Sequence, residues 1–101
     1  MLNVAFDVDG TLITFADTPR YDIILQLEFF LGLDDVEVIV WSGGGVDYAK
    51  RWVEKLGFED VLKVIPKWSE KVDIAYDDCP YAPEWQDNFQ KECPAKVIVN
   101  V

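Results

Sequence analysis

Leu2-Asn3-Val4-Ala5-Phe6-Asp7-Val8-Asp9-Gly10-Thr11-Leu12 is the stretch on which the fold turns. A short apolar run, Leu2 to Phe6, ends in Asp-x-Asp-Gly-Thr, which reads as a buried strand delivering polar groups at its carboxyl end. Side chains alternate along an extended strand, so Asp7 and Asp9 project the same way if the extension persists past the strand end. Two carboxylates facing one small volume suit a divalent metal. A carboxylate is also a competent covalent nucleophile, and a second acid two positions on can protonate a leaving group and later deprotonate water. Gly10 lets the chain turn without a Cβ clash, and Thr11 adds a hydroxyl and an N–H. Asp-x-Asp-Gly also opens EF-hand calcium loops, but those need Gly at the sixth position and Glu at the twelfth, where this chain has Leu12 and Thr18.

Outward from this stretch, strand and helix alternate. Asn3 to Asp7 forms the first strand, and Thr18-Pro19 reads as a helix N-cap with Pro at the first helical position. A helix from about Pro19 to Leu31 closes at Gly32. Val36 to Trp41 is almost continuously apolar, as a parallel strand covered on both faces should be. Gly43-Gly44-Gly45 leads into a helix of about Val46 to Leu56, with Val46, Ala49, Val53 and Leu56 at helical spacing. Val61 to Ile65, Val72 to Tyr76 and Lys96 to Val101 read as strands, and Pro83 to about Lys91 as a third helix. Such alternation, with right-handed crossovers, predicts a single α/β domain over residues 1–101. Its parallel, Rossmann-like sheet would bind ligands at the carboxyl ends of the strands.

The Asp-x-Asp-Gly-Thr motif at a strand end resembles the first motif of the haloacid dehalogenase-like phosphohydrolase superfamily. Three further stretches resemble its other motifs in order. Val38-Ile39-Val40-Trp41-Ser42 is similar to the second, an apolar strand ending in a hydroxyl residue. Lys67 is similar to the third, with Lys71 as rival; Lys67 is favoured because Lys71 is nearly in the strand and starts further from its carboxyl end. Val72-Asp73-Ile74-Ala75-Tyr76-Asp77-Asp78 is similar to the fourth, a strand closed by two acids. The resemblance implies five strands in the order 5-4-1-2-3 and a Mg²⁺-dependent phosphatase working through an aspartyl-phosphate. Asp7 would be the nucleophile and Asp9 the acid and base. Ser42, Gly43 and Lys67 would hold the phosphoryl oxygens, with Ser42 and Lys67 among the catalytic residues. Asp7 and Asp77 would ligate the metal through carboxylates, Asp9 through its backbone carbonyl, and Asp78 from outside or through water. Up to four negative charges would meet a phosphate dianion there, a repulsion of several kcal/mol that calls for the cation.

Neither Leu12 to Thr18 nor Pro66 to Lys71 can hold a cap domain, so the site should be open. It would serve a macromolecular phosphate, or a small substrate covered by a neighbouring subunit. Pro66 to Lys71 is also too short for a crossover helix, so the third strand should be short. The first helix is apolar over most of its circumference, which suits self-association into a homo-oligomer or full burial. Trp68, Tyr81 and Trp85 flank the expected mouth, for packing or for stacking on a sugar or base.

Composition narrows the partners. There are 19 acids against 9 bases, a net charge of −10 and no histidine. A histidine base or ligand is excluded, and unaided nucleic-acid binding is disfavoured because basic surface supplies most of that affinity. Cys79 and Cys93 lack metal-site spacing and read as reduced thiols of a cytoplasmic protein. No export signal opens the sequence, and no apolar run is long enough to span a membrane. The competing functional class is a catalytically silent binding or regulatory module on the same fold.

Overall fold

Val4, Ala5 and Phe6 are all completely buried, which only a central strand covered on both faces achieves. The computed structural model describes residues 1–78 and 93–101. In chain order these form β1 (Leu2–Phe6), α1 (Tyr21–Leu31), β2 (Val36–Val40), α2 (Val46–Lys55), β3 (Lys63–Val64), β4 (Val72–Asp77) and β5 (Ala95–Asn100). The sheet is five-stranded and parallel throughout, ordered β3-β2-β1-β4-β5, which is the expected order 5-4-1-2-3 seen from the other edge. The expected third helix, Pro83 to Lys91, and Cys79, Tyr81 and Trp85 lie outside the described residues. Cys93 is buried.

Alternation along the strands separates two cores. Val4, Phe6, Val38, Val40 and Tyr76 face α1 and α2, where they meet Ile23, Ile24 and Leu27 of the first helix and Ala49 and Val53 of the second. Phe6 and Tyr76, paired in register across β1 and β4, stack with ring centroids 4.5 Å apart. The opposite face presents Ala5, Ile39, Trp41 and Ala75, against which Ile65 and Trp68 pack.

Three features correct or sharpen the sequence expectation. α1 begins at Tyr21, not Pro19, because Ile13 bridges Pro19 and the Arg20 N–H donates to the Leu12 carbonyl at 2.8 Å. The backbone before Tyr21 is therefore already committed to closing the loop that follows β1. β3 shrinks to two residues, in keeping with the short connection to β4. The apolar circumference of α1 is not fully buried: Leu25 and Phe29 remain 65% and 64% exposed, beside the buried Leu27. Among the described residues no helix is long and apolar enough to cross a membrane.

The facing of α1 fixes an expected mutational contrast. Leu27→Ala empties a fully buried position and should cost about 2–5 kcal/mol. Leu25→Ala, on the exposed face, should stay within about 0.5 kcal/mol of wild type. Urea unfolding of the two variants measures the difference, and equal losses would show that the helix is turned otherwise.

Candidate functional site

Strand register assembles the site. Phe6 lies opposite Tyr76 on β4, and the Asp7 N–H continues the ladder by donating to the Tyr76 carbonyl at 3.0 Å. Asp7 and Asp77 are each one residue beyond that pair, so their side chains leave the sheet together on the face of Ala5 and Ala75. Both are buried, with 6% and 1% of their surface exposed. One carboxylate oxygen from each of Asp7, Asp77 and Asp78 lies within 4.8 Å of the other two.

A tight turn brings a cation to them. After β3 the chain folds back through Pro66 to Ser69, where the Ser69 N–H and hydroxyl both donate to the Pro66 carbonyl, at 3.1 and 2.6 Å. Trp68 takes a left-handed conformation (φ 64°), costly for a bulky residue and held by its packing on the sheet face. The turn aims Lys67 inward, its Nζ 3.0 Å from Asp77 Oδ2 and 3.4 Å from Asp7 Oδ1. Lys71 is exposed and lines a cavity with Cys93 and Lys96 at the amino end of β4, away from the acids. Trp68 is thus a packing residue that also backs Lys67, whose Nζ lies 5.3 Å from its ring centre.

The electrostatics are those of an over-acidic pocket. Burial pushes the Asp7 carboxyl up to about 7 from its ordinary 3.8, and repulsion from Asp77 adds to this; Lys67 and the Val8 N–H pull it down. Burial works against the Lys67 charge, yet attraction to Asp7 and Asp77 prevails and holds its pKa above the ordinary value. One ammonium faces three carboxylates, a hard-oxygen donor set of the kind that can hold a divalent cation.

Beyond Asp7 the extension does not persist. Val8 is fully buried and its carbonyl accepts from the N–H groups of Thr11, Leu12 and Ile13 at 3.2, 3.0 and 3.1 Å, coiling the chain into a single turn. Three carboxylates converge rather than four: Asp9 stands outside the cluster and its Oδ1 accepts a 2.7 Å hydrogen bond from the Tyr48 hydroxyl on α2. Gly10 has φ 78°, and a Cβ there would strike the Asp78 carboxylate and come within 2.9 Å of Phe15. Arg20 locks the same turn, its Nη1 donating to the Gly10 carbonyl at 2.8 Å while Nη2 pairs with Asp22 at 3.0 Å. Gly10, Thr14, Phe15, Arg20, Asp78 and Val101 line a cleft of about 390 Å³ beside the acids.

Ser42, two residues past β2, is buried, and its Oγ accepts from the Gly44 N–H at 3.0 Å, leaving its own proton available. Gly43 is exposed, with open space where a Cβ would be. Sequence reasoning overlooked Tyr48 and Arg20. Tyr48 had a signal, since it lies off the Val46, Ala49, Val53 stripe that explains the inward face of α2. Arg20 had none, because its role depends on how the Val8 to Thr18 loop closes.

No protein-family model, curated protein or solved structure matches this chain. The functional reading therefore rests on the geometry and on the motif resemblance.

The raised Asp7 pKa sets a pH dependence of stability. The folded state keeps a proton that the unfolded chain releases near pH 4, so the penalty grows from there to about pH 7 and is constant above. Asp7→Asn removes it. In EDTA the variant should melt above wild type at pH 8, by an amount corresponding to a few kcal/mol, and the gap should narrow at pH 5. Calorimetry at the two pH values measures it, and a gap that widens on acidification would contradict the assignment.

Proposed function

We propose that the chain is a cation-dependent phosphohydrolase of the haloacid dehalogenase-like type, hydrolysing a phosphomonoester through an aspartyl-phosphate. One observation carries the reading: the Lys67 ammonium sits between Asp7 and Asp77 with Asp78 beside them, so residues of three separate motifs meet at the carboxyl ends of adjacent strands. Ligands of open parallel sheets bind at that edge, and at the point where strand order reverses.

In this mechanism Lys67, the Ser42 hydroxyl and the Gly43 N–H bind the phosphoryl oxygens, a fixed set of donors that needs no reorganisation during reaction. Asp7 attacks phosphorus in line, forming the Asp7 oxygen to phosphorus bond as the ester bond breaks. Asp9 protonates the departing oxygen. It then takes a proton from water, whose oxygen bonds phosphorus and frees Asp7. A hard cation such as Mg²⁺, held by Asp7 and Asp77 with Asp78 and the Asp9 carbonyl nearby, would neutralise the carboxylates against the approaching dianion. The cleft beside Asp78 gives room for the leaving group.

Turnover of 4-nitrophenyl phosphate tests the proposal. Wild type should be active with Mg²⁺ and inactive in EDTA, and Asp7→Asn should keep its fold yet retain less than about a tenth of the rate. Lys67→Ala should lower kcat/KM more than about tenfold and Lys71→Ala far less. No activity on any phosphomonoester would favour a silent module.

Mg²⁺ should also raise the melting temperature by several degrees, since a hundredfold excess over Kd adds about 2.7 kcal/mol. An undiminished shift in Asp77→Asn would place the metal elsewhere.

A further inference from the structure

The Tyr48 hydroxyl is the one side-chain partner found for the Asp9 carboxylate among the described residues. It is placed there by a loop and a helix that have their own tie to the phosphate side. Gly45 caps α2, and Tyr48 lies in its first turn. The Tyr48 ring folds back over the preceding loop, so that a Cβ on Gly44 would lie 2.9 Å from its Cδ2 and 3.4 Å from Ser42 Oγ. Gly44 in turn donates its N–H to that Ser42 Oγ. The chain Ser42, Gly44, Tyr48, Asp9 thus connects the hydroxyl at the end of β2 to the second acid of the β1 turn.

We infer that Tyr48 is the positioning residue for Asp9, and that Gly44 is required to be small so that the Tyr48 ring can reach it. The inference rests on the proposed hydrolase reading and deepens it. A carboxyl group two residues past the nucleophile has free rotation about two bonds, and useful proton transfer needs its oxygen within hydrogen-bond reach of the leaving oxygen. The hydroxyl bond takes up Oδ1 and fixes the plane of the group, leaving Oδ2 to exchange the proton. In the first half-reaction that proton passes from Oδ2 to the leaving oxygen as the phosphorus bond to it breaks. In the second, a proton from water returns to Oδ2 as the water oxygen bonds phosphorus. Tyr48 keeps its own proton throughout and touches neither substrate nor phosphorus. Its hydrogen bond to Asp9, with burial, holds its pKa above the ordinary 10.0, so it is a donor at neutral pH.

A merely structural Tyr48 would affect all substrates alike. A residue that positions the proton donor affects those that need the proton. The test compares kcat/KM, which reports the chemistry up to leaving-group departure, for 4-nitrophenyl, phenyl and ethyl phosphate in the Mg²⁺-loaded protein. Tyr48→Phe keeps the ring and removes the hydroxyl. Its loss should be less than about threefold for 4-nitrophenyl phosphate, whose leaving group departs without help, and about tenfold or more for the phenyl and ethyl esters. Gly44→Ala should reproduce this gradient by displacing the ring. In a Tyr48→Phe background it should add little, because the two substitutions remove the same contact.

Equal losses on all three esters, or fully additive losses in the double variant, would overturn the inference while leaving the hydrolase reading intact. Urea unfolding of Tyr48→Phe, Asp9→Ala and the double variant provides a readout without turnover. The inference expects non-additive shifts in midpoint, and additive ones would show that the two side chains are not coupled. An inactive wild type with coupled Tyr48 and Asp9 would instead overturn the hydrolase reading, and the positioning role with it.

Discussion

Everything at the carboxyl edge of this sheet depends on the pairing of β1 with β4. Phe6 opposite Tyr76 fixes Asp7 beside Asp77, and the stacked rings on the helix-covered face lock that register. A slip of one residue would turn one of the two carboxylates to the other face of the sheet. The acids are therefore brought together by backbone hydrogen bonds and apolar burial against their own repulsion. Lys67, carried on a strained turn, offsets part of it. The protein's own groups leave this region electrostatically unsatisfied, and the excess negative charge is what a bound cation would relieve.

The strands and the placement of Asp7, Ser42 and Asp77 at their ends were legible because each rests on a local pattern, whereas the order of the sheet and the role of Lys67 came from the motif resemblance. A continuous apolar run marks a buried strand, and a polar residue at its end falls at one edge. The start of α1 was not legible from Thr18-Pro19. That pair has good helix-start chemistry, but the loop after β1 closes on itself through the Ile13 to Pro19 bridge and claims the backbone first. The direction of Asp9 was misread for a related reason. Alternation holds only while the chain is extended, and the three amides gathered on the Val8 carbonyl end the extension within one residue of Asp7.

Two glycines show how tightly the edge is fitted. Gly10 yields its Cβ volume to Asp78, and Gly44 yields its volume to the Tyr48 ring. Asp78 follows β4 directly and Tyr48 reaches across to Asp9, so the loops after β1, β2 and β4 constrain one another.

The hydrogen bond from the Asn3 N–H to Asp73 spans 70 positions, and the strands at the heart of the sheet are joined across the same interval. No hairpin shortens that path, because parallel neighbours always require a crossover. The entropy of closing so long a segment must be spent before β1 and β4 reward each other. The acidic cluster therefore exists only where β4 has docked on β1. Residues 1–40 hold both partners of the β1–β2 pair, but the other edge of β1 stays open until β4, some thirty residues further along, pairs with it.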